Sequence, residues 1–409
     1  MPKHSKKTIL IVARDSYPPF RVDVTQLFSH YLAEYLKINW LMVRDGRGPG
    51  GIIHQSDEIF YVIGKGGLLG FGSFIVQHSK ALLKIFRKRY DIVQCRDTII
   101  LALFYSLAAR IVNKPFVYWM SYPMDQGFKF NSALDFGQKR YFAALVRWLF
   151  GACGYLSLYW IALPLAKHVF VQSDEMKLDV VCSGIAASKI TAVPMGIDLT
   201  QFSSNQISSA VDTRYDGHRV ILYLGTLDAV RRMDVVGAGV SDYLEQDPMA
   251  IFVVIGKHTV QERANLTEFF KEPGILDRLI FIDQLPLNEA LGHVKRADVC
   301  IASCPADMKL LRVGTPTKLV EYLAMGARVV ANHHPDQDEV ARNCRSCVMC
   351  QFTQQGFKEA IAEAVKLGRL SDEERSTATT WIEMKRSYST LSESISSIYL
   401  DHIVVRPWL

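Results

Sequence analysis

The sequence predicts an α/β protein with two tandem domains, each a parallel sheet covered by helices. Its 409 residues, 49% hydrophobic and 22% charged, are too many for one compact core and too apolar for disorder. Residues 8–13 (TILIVA) are continuously apolar and β-branched, as in a buried parallel strand. Residues 23–37 then repeat apolar side chains at helical spacing, with Asp23 as candidate N-cap. This strand-helix pattern recurs after a polar break near mid-chain.

The alternation runs twice along the chain. In the first half, further strands are predicted at 39–43, 59–64, 91–95, 115–120, 168–173 and 190–196, with helices at 73–89, 98–112 and 136–166 and a Gly-rich loop at 44–51. A Ser-rich stretch, 202–217, is typical of a linker. Strands then restart at 220–225, 250–256, 279–283, 298–303 and 328–332. We predict two Rossmann-like domains, 1–200 and 201–375, facing across a cleft, and a helical tail, 376–409, packed back on the first.

Charge is distributed unevenly. Residues 1–200 contain 24 Lys and Arg against 14 Asp and Glu, a net charge of +10, so the remainder, with 23 against 27, carries −4. A basic half suits nucleic acid, anionic lipid or phosphorylated substrates, and the count does not choose among them. The start, MPKHSKKTIL, lacks the long apolar stretch of a secretory signal, so we expect a cytoplasmic protein.

The eight cysteines are too sparse for a disulfide-built fold, and we expect reduced thiols. Cys344, Cys347 and Cys350 form a CxxCxxC pattern, but a closed metal site needs a fourth ligand. His333 and His334 also resemble a metal pair. In both places we favour a loop or buried role, and we expect neither a metal nor a cofactor.

The most informative run is 312–339, RVGTPTKLVEYLAMGARVVANHHPDQDE. Thr315 is a candidate N-cap, Pro316 fits the first helical position, and Gly326 closes the helix. A helix start offers free N–H groups and a positive dipole to an anion, and Lys318 adds a full charge. Glu321 lies one turn further along, where a carboxylate suits a ribose diol.

This run, together with 220–236, 168–177 and 193–198, resembles the retaining GT-B glycosyltransferases of family four, in the subgroup that builds bacterial surface polysaccharides. The resemblance implies that Glu321 binds the nucleotide ribose and that Arg231 or Arg232, or both, bind the donor diphosphate and stabilise its leaving charge. Thr317 and Lys318 fall in the phosphate-supporting loop, and Arg312 matches a basic residue that often precedes it. Three features depart from the family pattern: Val313 replaces a second glutamate, Thr226 replaces an arginine, and residues 18–23 (PPFRVD) replace the usual Gly-Gly loop after the first strand.

Four residues are candidates on the acceptor side. The resemblance places Tyr122 and Asp125 where family members present acceptor or catalytic groups; the alternative for both is loop packing. Arg21 and Asp23, at the mouth of the first domain, orient donor phosphate or acceptor, or are a surface arginine beside a capping aspartate. The resemblance also implies that no strong protein base is required, since in the family the leaving diphosphate is usually described as taking the acceptor proton.

Segment 148–166 has 19 uncharged residues, close to the ~20 of a spanning helix. A single crossing would put strands 8–13 and 168–173 on opposite sides of a bilayer, so we reject a span. A buried core helix, an acceptor groove and a helix in the membrane plane all stay open. Helix 74–89 has lysines and arginines on one face and apolar residues on the other, which favours peripheral contact with an anionic membrane over an ordinary solvated face.

The resulting prediction is a cytoplasmic, metal-independent glycosyltransferase on the inner face of the cell membrane. It moves a sugar from a UDP- or GDP-sugar to a lipid-linked or growing polysaccharide acceptor, with retention, and it has no nucleic-acid partner. A GT-B nucleotide-sugar epimerase and a non-catalytic scaffold of the same fold are the alternatives.

Overall fold

The computed structural model describes residues 6–44, 59–64, 67–202, 207 and 212–404. The chain divides into two compact units: unit 1 comprises Met1–Pro194 with Tyr388–Leu409, and unit 2 comprises Met195–Ser387. The first division falls six residues before the predicted boundary at 200/201, and the second falls twelve residues after that at 375/376. Most of the Gly-rich loop (44–51) and half of the Ser-rich stretch lie outside the described residues.

Each unit is built on one parallel sheet. The strands of unit 1 are β1 (Lys7–Ser16), β2 (Leu36–Arg44), β3 (Ile59–Ile63), β4 (Ile92–Arg96), β5 (Phe116–Met120), β6 (His168–Val171) and β7 (Ile190–Ala192). Those of unit 2 are β8 (Arg219–Leu224), β9 (Ala250–Ile255), β10 (Leu279–Ile282), β11 (Val299–Ala302), β12 (Val329–Asn332) and β13 (Cys347–Cys350). The strand orders are β3-β2-β1-β4-β5-β6-β7 and β10-β9-β8-β11-β12-β13. Two parallel sheets with helical crossovers confirm the predicted fold class.

Helices connect the strands and cover the sheets. Those of unit 1 are α1 (Leu68–Phe86), α2 (Leu101–Ile111), α3 (Met124–Gly137), α4 (Tyr141–Tyr155), α5 (Leu163–Leu165), α6 (Asp174–Cys182) and α15 (Tyr388–Ser397), with π-helical segments at Asp23–Tyr31, Leu156–Ala162 and Ile398–Val404. Those of unit 2 are α7 (Met233–Gln246), α8 (Val260–Thr267), α9 (Leu287–Arg296), α10 (Lys309–Arg312), α11 (Lys318–Ala324), α12 (Pro335–Cys344), α13 (Gln354–Leu367) and α14 (Asp372–Arg386).

The end of the chain packs in the core of unit 1. Tyr388, Ile395 and Tyr399 are buried in one cluster with residues of β1 and the π-helix Asp23–Tyr31, including Ile9 and Phe28. The Tyr399 hydroxyl donates to the side-chain oxygen of Gln94 on β4. Residues 376–387, which the sequence analysis grouped with this tail, belong to unit 2 as the end of α14.

Strand β13 is absent from the sequence-based prediction. Residues Cys347–Cys350 pair with β12 in parallel, Val329 opposite Cys347 and Asn332 opposite Cys350. Its burial alternates, with Val348 and Cys350 covered, as expected of an edge strand with one packed face. Of the CxxCxxC pattern, Cys344 therefore belongs to α12, and Cys347 and Cys350 belong to the edge strand β13.

One helix among the described residues, Tyr141–Leu165, is long and apolar enough to cross a membrane, judged by length and composition, and a third of its most apolar window is buried. It is made of α4, a π-helical segment and α5. Strands β5 and β6, which precede and follow it, are parallel neighbours in one sheet. This pairing is incompatible with a single crossing between them.

The strand orders fix where ligands bind. In unit 1 the order reverses between β1 and β4, and in unit 2 between β8 and β11. In open parallel sheets, ligands bind outside the carboxyl ends of the strands at this reversal. The side chains that follow β1, β4, β8 and β11 therefore lie where a ligand is expected.

Candidate functional site

In unit 2, Lys318 reaches the end of β8. Its ammonium donates to the Tyr223 hydroxyl at 2.9 Å and lies 4.2 Å from the centre of the Tyr223 ring. A Cβ added to Gly225 would lie 2.4 Å from the Lys318 nitrogen. Glycine at 225 therefore leaves the space that the ammonium occupies, directly at the strand reversal.

Arg231 and Arg232 lie between β8 and α7. The Arg231 backbone N–H and guanidinium donate to Asp228 at 3.0 and 3.2 Å, so the loop is closed on itself and the guanidinium stays partly exposed. Arg232 has φ 51° and precedes α7, whose start has no side-chain cap. Its guanidinium faces Asp234 at 3.2 Å and Asp307 at 3.9 Å. An uncapped start of a 14-residue helix beside two arginines suits an anion.

The thiol of Cys304, just after β11, indicates where these charges meet. Burial raises its pKa to about 11, while Lys318 and Arg231 both act to lower it. Both cations therefore lie within electrostatic reach of the same point. The Arg232 guanidinium instead faces Asp234 and Asp307, so the two arginines have different surroundings.

Glu321 is half-buried on α11. Burial raises the pKa of its carboxyl, against the opposing effects of a hydrogen bond with the Thr317 side chain and of the Lys318 charge. The structure thus brings Thr317, Lys318 and Glu321 together as predicted from the sequence. Arg312 is exposed at the end of α10, five residues before Thr317.

The predicted start of α11 is two residues too early. Thr317, and not Thr315, is the N-cap, and it makes no side-chain cap bond. Thr315 is buried and accepts a hydrogen bond from the backbone N–H of Met195 at 2.8 Å. Because α11 begins at Lys318, Pro316 lies before the helix and not at its first position. Its end agrees with the prediction, since Gly326 follows with φ 70°.

His334 links the start of α12 to α10. It is buried, its Nδ1 accepts from the backbone N–H of Asp336 at 3.2 Å, and Nε2 lies 3.2 Å from the carbonyl oxygen of Leu311. An accepting Nδ1 leaves the proton on Nε2, which donates to Leu311. The imidazole therefore caps α12 and holds α10, which precedes residues 314–318.

In unit 1, the strand reversal holds a buried charge cluster. Arg96, at the end of β4 and 0% exposed, donates to Asp23 at 2.6 Å and to Asp15 at 3.0 Å. Arg21 lies 3.4 Å from Asp23 and 3.8 Å from Asp97. Burial acts to raise the pKa of Asp23, but the Arg96 and Arg21 guanidiniums outweigh it, and the pKa is lowered. Asp23 is thus an ion-pair partner in the first turn, and the N-cap is Val22.

Asp97 has a different environment in the same cluster. It adopts φ 51°, and its carboxylate accepts from the backbone N–H groups of Ser121 and Tyr122 at 2.8 and 3.2 Å and from the Ser121 hydroxyl. Burial raises its pKa despite Arg96 and Arg21. Asp97 therefore joins the ends of β4 and β5.

Tyr122 is joined to the charge cluster through its backbone N–H, which donates to Asp97 at 3.2 Å. The Tyr122 ring packs on Gly127, where an added Cβ would lie 2.7 Å from Cε1. Asp125 is buried in the first turn of α3. A half-buried phenol and a buried carboxylate at the sheet edge are compatible with either contact to substrate or loop packing, and their roles stay predictions.

Sequence reasoning missed Arg96, Asp97 and Tyr223 as site residues. The available signal was positional: Arg96 and Asp97 follow the predicted strand 91–95, and Tyr223 belongs to the strand that ends at the reversal. No cluster of three or more His, Cys, Asp or Glu side chains arranged to hold a metal ion occurs among the described residues.

One stretch of unit 2 is similar to a known family. Residues 218–367 match the family described as "Glycosyl transferases group 1". This range contains the Lys318, Glu321 and Arg231 group. No curated protein sequence matches the chain.

Solved structures share the fold at low identity. Anabaena HepE in complex with UDP is 14% identical, with TM-score 0.65, over 95% of this chain and 98% of that one. A Rickettsia africae glycosyltransferase is 14% identical, with TM-score 0.68, over 98% and 100%. An E. coli trehalose-6-phosphate protein bound with UDP-2-fluoro glucose is 11% identical, with TM-score 0.68, over 98% and 100%. The chain therefore shares the GT-B fold of these structures, two Rossmann-like domains, and its residues 218–367 are similar to group 1 glycosyltransferases.

Proposed function

We propose that this chain transfers a sugar from a nucleotide diphosphate donor, held by unit 2, to a lipid-linked or growing polysaccharide acceptor. The observation that carries the donor site is the Lys318 ammonium at the end of β8, with Glu321 one turn along α11 and Arg231 within electrostatic reach of the same thiol, Cys304. Two cations and an uncapped helix start suit a diphosphate, and a carboxylate one turn away suits a ribose diol. The similar Anabaena HepE structures are complexes with UDP and with UDP-glucose, which supports a UDP-sugar as the donor.

The proposed chemistry needs little more than charge stabilisation. The bond between the anomeric carbon and the β-phosphate oxygen breaks, and its electron pair leaves on the diphosphate. The acceptor hydroxyl oxygen bonds to the anomeric carbon on the same face, and its proton passes to the leaving phosphate oxygen. Lys318 and Arg231 stabilise the charge that develops on this diphosphate, as donors fixed in advance of the reaction.

The exposed surface of unit 1 favours an acceptor that lies in a membrane. Large apolar side chains are exposed along α1, α3, α4 and the following π-helical segment; the most exposed are Leu69, Phe71, Phe136, Phe142 and Trp160. Contiguous exposed apolar surface of this kind marks an interaction site. Exposed apolar side chains on α1, α3 and α4 suit peripheral insertion into a bilayer.

Charge in the same region favours an anionic surface. Residues 68–167 contain 13 lysines and arginines, four aspartates and no glutamate. Three of the aspartates (97, 125 and 135) are buried, and Asp91 lies 3.4 Å from the Lys114 ammonium. Asp135 is paired with Arg140 and Arg147 at 2.5 and 2.8 Å. Little negative charge therefore offsets the exposed lysines and arginines. Together these features support a position on the inner face of the cell membrane.

A transfer assay tests the proposal. Purified protein is incubated with radiolabelled nucleotide sugars and a membrane extract, and label in the lipid phase or in polymer is measured. We expect transfer that needs both the donor and the extract. Conversion of the nucleotide sugar without any acceptor would instead show the epimerase, and absence of both transfer and nucleotide binding would leave a non-catalytic protein.

A further inference from the structure

Unit 1 contains a cavity of about 250 Å³ between the sheet and its helices. Its floor is formed by the carboxyl halves of β1, β2 and β3, with Val12, Leu41 and Val62. Its walls come from α1, the start of α2, α3 and α4. A dry cavity of about 150 Å³ with apolar walls already binds benzene, so this one has room for a stretch of hydrocarbon chain.

The cavity is almost entirely apolar. The imidazole of His78 in its wall is hydrogen-bonded to the Tyr105 hydroxyl at 2.8 Å, and burial lowers its pKa to about 4, so it is neutral. Asp97, Thr98 and Arg14 are the remaining polar side chains of the lining. Such walls favour an apolar ligand over a sugar or a nucleotide.

Two lining residues connect the cavity with the exposed apolar surface. Phe74 of α1 is 37% exposed and Phe150 of α4 is 50% exposed, yet both line the cavity. Their neighbours Ile75 and Leu149 are exposed as well. The cavity is therefore continuous with the surface that we propose meets the membrane.

The polar lining residues belong to the edge of the sheet. Asp97 is part of the buried cluster at the β1/β4 reversal, 3.8 Å from Arg21. The Arg14 guanidinium is 5.7 Å from the centre of the Phe128 ring, which also lines the cavity. An amphiphile with its chain among the apolar walls would thus present an anionic head to Arg14.

We propose that this cavity binds the apolar chain of the lipid-linked acceptor, with the acceptor phosphate beside Arg14. The inference rests on the proposed function and narrows it, because it selects a lipid over a free polysaccharide. The apolar walls, the exposed aromatic side chains at the cavity and the basic surroundings are complementary to the two parts of a lipid phosphate. Binding in the cavity places the acceptor phosphate at the strand reversal, where ligands of parallel sheets bind.

Titration calorimetry with dodecyl phosphate and ethyl phosphate, below the micelle concentration, tests the site. We expect saturable binding of dodecyl phosphate at one site and at least about tenfold weaker binding of ethyl phosphate, because the short chain buries far less apolar surface. Val62→Phe fills the cavity and should weaken dodecyl phosphate binding by about tenfold or more. Val76→Phe makes the same change on an exposed face of α1 and should leave binding unchanged.

Leu101→Phe, at the half-buried start of α2, is the second filling variant if Val62→Phe fails to fold. Equal affinity for the two phosphates, or full dodecyl phosphate binding by both filling variants, would overturn the inference. UDP titration and the transfer assay are run on the same proteins. If the protein transfers sugar to membrane lipid but does not bind dodecyl phosphate, the cavity site is refuted and the proposed function stands. If it binds dodecyl phosphate but neither binds UDP nor transfers sugar, the proposed function alone is refuted.

Discussion

The Lys318 ammonium lies 2.9 Å from the Tyr223 hydroxyl and 4.2 Å from the centre of its ring. The hydroxyl and the ring of the same tyrosine both attract the ammonium, so Tyr223 fixes its position and leaves its positive charge in place for a ligand. Tyr223 belongs to β8 and Lys318 starts α11. The contact therefore fixes a positive charge where the sheet order reverses.

Gly225→Ala should weaken nucleotide binding although the substitution adds only one methyl group. Its Cβ would lie 2.4 Å from the Lys318 nitrogen, so the ammonium must move away. We expect about a tenfold lower affinity for UDP, as for loss of one hydrogen bond to a charged group. Gly217→Ala is the control: its φ of 75° makes alanine strained, but nothing lies within 4 Å of an added Cβ. It should lower stability and leave UDP affinity unchanged; equal loss in both variants would contradict the role of Lys318.

Arg231→Ala should reduce UDP affinity more than Arg232→Ala. Arg231 and Lys318 act on the same thiol, Cys304, whereas Arg232 faces Asp234 and Asp307. We expect a loss of about ten- to a hundredfold for Arg231→Ala, because its hydrogen bonds to a diphosphate are charge-assisted. Parallel titrations of the two variants make the comparison. A larger effect at Arg232 would place the diphosphate nearer Asp307 than we propose.

Glu321 should make UDP binding depend on pH. Burial raises the pKa of its carboxyl, so the carboxylate that accepts from the ribose is lost at a higher pH than for an exposed glutamate. UDP affinity should therefore fall as the pH is lowered through this raised pKa, and Glu321→Gln should flatten the profile. Glu321→Ala should weaken binding of UDP but not of 2′,3′-dideoxy-UDP. Equal losses for the two nucleotides would assign Glu321 a structural role instead.

Arg96→Met should strongly destabilise unit 1. The substitution leaves Asp23 and Asp15 buried without their main partner, and removal of one member of a buried ion pair is worth about 3–5 kcal/mol. Because the folded-state pKa of Asp23 is lowered, its stabilisation is present above the unfolded-state value near 3.8 and is lost as the pH falls below it. Urea unfolding between pH 3 and pH 7 should show this acid loss in the wild type and a weaker one in Arg96→Met. A variant as stable as the wild type would contradict the ion-pair account.

The regular parts of this fold follow from sequence because buried parallel strands are continuously apolar. Every predicted strand matches an observed one to within a few residues. Strand β13 was missed because its four residues, CVMC, were interpreted as part of a thiol pattern. Its strand character comes from pairing with β12, which no local pattern encodes.

The proposed donor group can be predicted from sequence because Thr317, Lys318 and Glu321 are close along the chain. The charge cluster of unit 1 was found only in part, since Asp23 and Arg96 are 73 positions apart and Asp15 and Arg96 are 81 apart. A charged residue after a strand is usually exposed, and burial of Arg96 depends on carboxylates that only the folded sheet brings near. Local sequence favours Thr315 as the N-cap. Its actual role, accepting a hydrogen bond from the Met195 backbone N–H, depends on a residue 120 positions away and leaves no local pattern.

The most direct test of the central claim is calorimetric titration of UDP into the wild-type protein, Lys318→Met and Lys295→Met. Lys295 is exposed near the end of α9, at the amino edge of the same sheet. The account predicts one-site binding by the wild type and Lys295→Met, and a loss of about tenfold or more for Lys318→Met. Binding of UDP with equal affinity by all three proteins, or no binding of UDP or GDP by the wild type, would contradict it.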